Sequence, residues 1–192
     1  MGFKWLDKML KRLRTATKLD LVETFGLRRK CTLEGWASVY VYSKNLVKVS
    51  KNAAIRISDG LMTISKPWFV VEVAVPCAFE MERGSQLECN GNFDFVRGSR
   101  CAIKSGASLR LGDGGRMGKG SNMECIKEIV IGKNCWISDN VIIADAGKII
   151  IEDGVWIGNG AQIIGNIKIG KNAVIGEGVT VKEDVEAETV LV

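Results

Sequence analysis

Aliphatic residues recur every six positions through the C-terminal half of the chain. Ile131, Ile137 and Ile143 are six apart, and after a slip of two residues Ile151, Ile157, Ile163, Ile169, Ile175 and Val181 continue the series. Two positions before each stands a small or aliphatic residue: Ile129, Cys135, Val141, Ile149, Val155, Ala161, Ile167, Ala173 and Val179. Three positions after each come Asn134, Asn140, Ala146, Gly154, Gly160, Asn166, Asn172, Gly178 and Asp184. All of these but Ala146 are types that tolerate a left-handed backbone at a tight turn. Residues two apart on a strand share a face, so each short strand sends one small and one larger apolar side chain inward. The turn residue then carries the chain round a corner, and three corners close one triangular coil. Such coils stack at the ordinary strand spacing of about 4.8 Å around an apolar prism. A helix would repeat at 3.6 residues, and a sandwich would need hairpin signals every 8 to 12 residues. The pattern predicts an all-β protein built as a parallel β-helix.

The first half of the body carries the same pattern less regularly. Val49 and Ile55 keep the spacing with Asn52 and Ser58 at the turns, and Leu111 and Met117 keep it with Gly114 and Gly120. Met81 and Leu87 hold the interval between irregular turns. Residues 45–192 are therefore expected to form one domain, a prism of about eight coils that is loose at its N-terminal end.

Residues 1–30 have a different period. Phe3, Leu6, Leu10 and Leu13 recur at three- and four-residue steps, surrounded by Lys4, Lys8, Lys11, Arg12 and Arg14, which predicts a short basic amphipathic α-helix. With Trp5 near its start, such a helix suits the surface of an anionic membrane, or it packs on its own body or on a sister subunit. Both readings stay open.

Charge sharpens this division. The chain carries +5 overall, but residues 1–30 hold nine Lys and Arg against three acids, and the remaining residues hold 18 bases against 19 acids. A body that coats nucleic acid is not described by that distribution. The absence of histidine from all 192 residues excludes Ser–His–Asp and Cys–His catalysis and histidine metal sites. The six cysteines include no C-x-x-C pair, so no metal is expected. No secretory pattern precedes the body and no apolar run is long enough to span a bilayer, so a cytoplasmic location is expected, with the arm as its contact to the inner membrane face. The glycine-rich run at 111–121 imitates a phosphate loop, but Asp113 stands where glycine is required and Gly120 follows Lys119 in place of Ser or Thr.

The runs I-G-K-N-C-W-I-S-D-N-V-I-I (131–143), V-W-I-G-N-G-A (155–161) and I-G-K-N-A-V-I-G-E-G-V (169–179) resemble the hexapeptide-repeat acyltransferases. The resemblance implies a left-handed β-helix, a homotrimer, and an acyl-CoA donor such as acetyl-CoA held between coils of adjacent subunits. A basic N-terminal helix ahead of irregular coils is similar to the acetyltransferases of surface-polysaccharide assembly, which implies a sugar or nucleotide-sugar acceptor. Carried over by position, the resemblance places Trp156 and Asn159 beside the pantetheine arm, Glu177 one coil higher, and Lys182 with Glu183 near the terminal phosphates. It also implies that Trp136 and Trp156 face a neighbouring subunit.

The pattern I-S-D-N-V-I-I-A-D (137–145) is present, but the family's catalytic histidine and the loop that carries it are not; A-G-K follows directly. Asp145 is left as a base or hydrogen-bond acceptor, and Lys148 stands nearest the missing position. The bland readings are a turn acid for Asp145 and a solvated charge for Lys148. Two functions follow: an acyltransferase with Asp145 and Lys148 as catalytic candidates, or a catalytically silent trimer serving as scaffold or binding module.

Overall fold

The computed structural model describes residues 21–42, 46–66 and 75–192. Nearly every described segment is a short parallel strand, and together they form a parallel β-solenoid with three faces. Of the basic helical arm expected at 1–30, residues 1–20 lie outside the described residues. One helix is described, α1 (Leu21–Arg28). It covers the first coil, with Leu27 buried and the Thr24 hydroxyl accepting the Val41 N–H at 2.9 Å.

In chain order the first face holds β1 (Cys31–Glu34), β4 (Ala54–Ser58), β7 (Gln86–Asn90), β10 (Ser108–Leu111) and β13 (Glu128–Ile131). The second holds β2 (Ser38–Val41), β5 (Leu61–Lys66), β8 (Phe93–Val96), β11 (Gly115–Met117), β14 (Trp136–Ile137), β16 (Trp156–Ile157), β18 (Val174–Ile175) and β20 (Val190–Leu191). The third holds β3 (Leu46–Val49), β6 (Ala78–Met81), β9 (Arg100–Ile103), β12 (Asn122–Cys125) and β19 (Thr180–Val181). Two longer strands, β15 (Ile142–Ile151) and β17 (Gln162–Ile169), run along the third face and round the corner into the first. The sheets thus begin at Cys31, ahead of the expected residue 45. The regular part amounts to about six turns, slightly fewer than the expected eight.

The six-residue spacing places its side chains as expected. Each pair from Ile129/Ile131 to Ala173/Ile175 is buried. Stacking in register makes continuous inner columns, such as Ile55, Leu87, Leu109, Ile129, Ile149 and Ile167 on the first face. Lower on the second face the filling is aromatic: Phe93 and Phe95 lie 5.1 Å apart, and Phe79 from the third face meets Phe95 at 5.7 Å. Gly115 sits in register with Phe93, and a Cβ there would fall 2.5 Å from the ring.

The corners obey two rules. From the first face to the second, Gly114, Asn134, Gly154 and Asn172 take φ between 55° and 73°; from the second to the third, Gly98, Gly120, Asn140, Gly160 and Gly178 take φ between 58° and 74°. At the corner from the third face to the first, Gly84 and Gly106 do the same in the lower coils, both at 72°. Above them, Asn166 and Asp184 are not left-handed, against expectation, and neither is Ala146, the one turn position whose residue type disfavours it. In their place, side-chain oxygens tie this corner to the coil below: Asn166 Oδ1 accepts the Lys148 N–H at 2.9 Å, and Asp184 Oδ1 accepts the Lys168 N–H at 2.7 Å. The two-residue slip in the sequence falls here, where β15 and β17 change register between Asp145 and Ile149.

Candidate active site

The same corner decides the environment of Asp145. Along the third face, β15 pairs with β12 so that Ile142 opposes Asn122 and Ile143 opposes Met123. Continuing that register puts Asp145 over Cys125, in the inner column that Val49, Met81 and Ile103 occupy below. Asp145 is accordingly only 2% exposed. Its Oδ1 accepts the Ile126 N–H at 2.5 Å, and its Oδ2 accepts those of Lys127 and Glu128 at 2.7 and 3.0 Å. Gly165 lies in register directly above. A buried carboxylate needs compensating donors, and these three amides supply them, Ile126 and Lys127 from the gap between β12 and β13 and Glu128 from the first position of β13. Both oxygens are turned to the backbone. The sequence marked this aspartate, but not that it points inward.

Lys148 lies on the outer side of the same corner. Its Nζ meets Glu128 Oε2 at 3.0 Å, and Arg110 reaches the other oxygen of that carboxylate. Lys148, and after it Arg110, hold the Glu128 carboxyl below the usual carboxylate range, against the burial that raises it. Glu128 therefore joins the two sequence candidates, giving its N–H to Asp145 and its side chain to Lys148. It escaped the sequence reading because its partners lie a full coil away along the chain. Beside Lys148, a shallow cleft of about 160 Å³ runs over Ile150, Asn166, Lys168 and Asp184.

The expected donor residues stand elsewhere. Asn159 and Glu177 are exposed at the corner between the second and third faces, on successive coils: the Asn159 carbonyl accepts the Gly178 N–H at 2.8 Å, and Asn159 Oδ1 accepts the Asp139 N–H at 3.2 Å. Trp156 lies on the second face next to this corner, 51% exposed, in register with Trp136. The Arg116 guanidinium sits 4.9 Å from the Trp136 ring centroid, and the Trp156 indole N–H donates to Ser138 Oγ at 3.2 Å. Lys182 and Glu183 are at the other corner, above Asp145 and Lys148. They line an open cleft of about 600 Å³ at the C-terminal end, floored by Val181, Val185 and Leu191. The solenoid therefore sorts the predicted residues into two corner columns, Asp145, Lys148 and Lys182 on one and Asn159 and Glu177 with Trp156 on the other. The third face separates them.

The bacterial transferase hexapeptide (six repeats) family matches residues 148–183. No curated protein sequence matches the chain significantly. Among solved structures, the chain is similar to serine acetyltransferase from Neisseria gonorrhoeae in complex with serine, at 32% identity over 52% of this chain and 39% of that one, with a TM-score of 0.39. It thus spans well under half of that enzyme's length. It is similar over more of its length to the polySia-specific acetyltransferase NeuO (18% identity, 84% of this chain and 76% of that one, TM-score 0.45). A mutant of AntD, an N-acyltransferase from Bacillus cereus in complex with dTDP and coenzyme A, is similar at 12% identity over 90% of this chain and 84% of that one, with a TM-score of 0.48.

Proposed function

We propose, for a solenoid that carries the bacterial transferase hexapeptide repeat over residues 148–183, an acyl-CoA-dependent acyltransferase. Its donor is acetyl-CoA, its acceptor a sugar or nucleotide-sugar of surface-polysaccharide synthesis, and its working form a cytoplasmic homotrimer. The observation that carries this reading is the corner column of Asn159 and Glu177 beside the exposed Trp156, which supplies an apolar wall and polar atoms on successive coils. Trp156 and Asn159 hold the pantetheine arm, with Lys182 nearer the phosphates. Glu177 is the discordant member, because a carboxylate repels an anionic cofactor by about 1 kcal/mol for a close, solvent-screened pair.

Acyl transfer needs the acceptor to attack the thioester carbonyl and to lose a proton. A positioned base typically contributes about 10² to 10⁴-fold. Asp145, enclosed by three amides, serves as a positioning residue for the corner, and Lys148 with Glu128 is the polar pair that faces solvent there. An amine acceptor is intrinsically the stronger nucleophile and depends on such a base least. One observation favours the second reading, a catalytically silent trimer that binds or scaffolds: both candidates of the histidine-free corner are already engaged, Asp145 by backbone and Lys148 by Glu128.

Titration calorimetry with acetyl-CoA, followed by assay of acetyl transfer to amino-sugar and hydroxyl-sugar acceptors, separates the two. The enzyme reading expects donor binding that weakens at least tenfold in Trp156→Ala. No heat at millimolar donor would leave the silent trimer as the function.

A further inference from the structure

The two ends of the solenoid are chemically opposite. Residues 1–56 hold 13 Lys and Arg against four acids, whereas residues 57–192 hold 14 against 18. At the C-terminal end Glu183, Asp184, Glu186 and Glu188 are exposed, and Lys182 is the one base in residues 182–192. At the N-terminal end Arg29, Lys30, Lys48 and Lys51 are exposed, and Glu34 is the one acid in residues 28–56. Acids take up part of this charge: Lys48 lies 3.6 Å from Glu80, and Arg56 lies 3.5 Å from Glu34. The Lys30 ammonium donates to the Val49 carbonyl at 3.1 Å, which fixes it at the corner between the third and first faces, where Lys51 also stands.

The same end exposes large apolar side chains. Trp36, 67% exposed, stands at the corner between β1 and β2, and Leu46, 46% exposed, opens β3. Phe25, 54% exposed, is on α1, whose Leu27 and Thr24 are buried. β1, β2 and β3 make one coil, and a coil lies across the solenoid axis, so Trp36 and Leu46 border one end plane and α1 covers it. Tryptophan, aliphatics and Lys or Arg side by side suit a lipid–water interface, with the apolar parts among the headgroups and the cations against anionic lipid. Ahead of α1 the sequence holds Phe3, Trp5, Leu6, Leu10 and Leu13 among six bases. One short basic segment holds lipid only marginally, and firm attachment takes a second contact.

We propose that the N-terminal end of the solenoid, Phe25, Trp36 and Leu46 with Arg29, Lys30 and Lys51, is that second contact and docks on an anionic phospholipid surface. Charge complementarity selects the end, since the acids of residues 183–188 are repelled by the surface that attracts the first coil. The solenoid therefore stands on the membrane with its acidic end turned away. Five strand spacings separate β1 from β15 along the first face, which holds the Lys148 corner about 24 Å above the end plane. Docking thus leaves both corner columns uncovered. A nucleic acid would use the same bases but leave the three apolar side chains in water. The inference goes beyond the acyltransferase reading and needs neither its donor nor its acceptor.

The test is flotation of the full chain with vesicles of phosphatidylcholine containing one quarter phosphatidylglycerol, against pure phosphatidylcholine, with far-UV circular dichroism as the fold control. The expected result is binding to the anionic vesicles only, weakened by added salt. Binding should fall at least tenfold in the Phe25→Ser, Trp36→Ser double variant and in the Arg29→Glu, Lys51→Glu double variant. An environment-sensitive fluorophore on a Trp36→Cys variant should shift to the blue on these vesicles, and the same probe on a Val190→Cys variant should not. No binding, equal binding to both vesicles, undiminished binding in either folded double variant, or a blue shift at position 190 would each overturn the proposal. Undiminished binding in both, with loss in a Leu6→Glu, Leu10→Glu variant, would overturn it by leaving the arm as the sole contact. If the apolar double variant fails to fold, the charge-reversed variant and the probe decide. A chain that docks this way yet binds no acetyl-CoA would keep the proposal and sink the acyltransferase.

Discussion

The coils below Cys125 and those above Glu128 share one triangular cross-section but fill and cover it differently. Below, the prism holds Phe79, Phe93, Phe95, Met62 and Met81, and room for Phe93 is made by Gly115 on the coil above. Above, Ile137, Ile157 and Ile175 repeat in one column, and Ile129, Ile149 and Ile167 in another. Outside, the lower third face is closed by charge pairs that link successive coils, whereas the upper coils present Ile142, Ile164, Trp136 and Trp156. A uniform filling lets every coil have the same length, and this makes a sequence period visible. A mixed filling needs compensation between coils, and the period is lost. The regular half keeps ion pairs on its first face, Lys148 with Glu128 and Lys168 with Glu152, while its second and third faces present exposed apolar side chains.

The largest test of this contrast is truncation in each core. Ile157→Ala should cost about 3 kcal/mol and Phe95→Ala about 4 kcal/mol, read by urea unfolding. Because each coil touches only its neighbours, hydrogen exchange should accelerate chiefly in the coils adjoining the substituted one. Uniform loss along the whole solenoid after either substitution would contradict a molecule built in two styles.

Next in size is the corner where the styles meet. Asp145→Ala leaves three amides without their acceptor and should destabilise by about 3 kcal/mol, with Asp145→Asn losing roughly half as much. Unchanged unfolding in Asp145→Ala, together with abolished acetyl transfer, would instead make Asp145 a base.

The smallest effect is in the ladders themselves. Glu82, hydrogen-bonded first by Ser105 and then by Lys104, is held below the usual carboxylate range, as are Glu128 by Lys148 and Glu152 by Lys168. A depressed folded-state pKa stabilises above the unfolded value, near 4.3 for glutamate, and that contribution is lost as pH falls through the lower folded value. Thermal scans from pH 5 to pH 3 should therefore show a modest fall in Tm that 1 M salt reduces, since these groups are exposed and screened. A fall already complete by pH 5 would assign the loss to other groups.

What could be read from the residues alone follows from steric rules that act within a few positions. Aliphatics at alternate places in a six-residue unit must share a face, and Asn or Gly three places on can turn the chain. This made the core columns of Ile131 to Val181 and two of the three upper corners legible before any coordinates. The start at Cys31 was hidden because Cys-Thr-Leu-Glu and Ser-Val-Tyr-Val carry no repeat of their own and find register only against β4 and β5. The inward turn of Asp145, the Arg110–Glu128–Lys148 ladder and the sorting of site residues into two columns belong to tertiary structure. Each depends on which coil lies directly above or below, and residues about 20 positions apart in sequence become neighbours only when the strands stack in register.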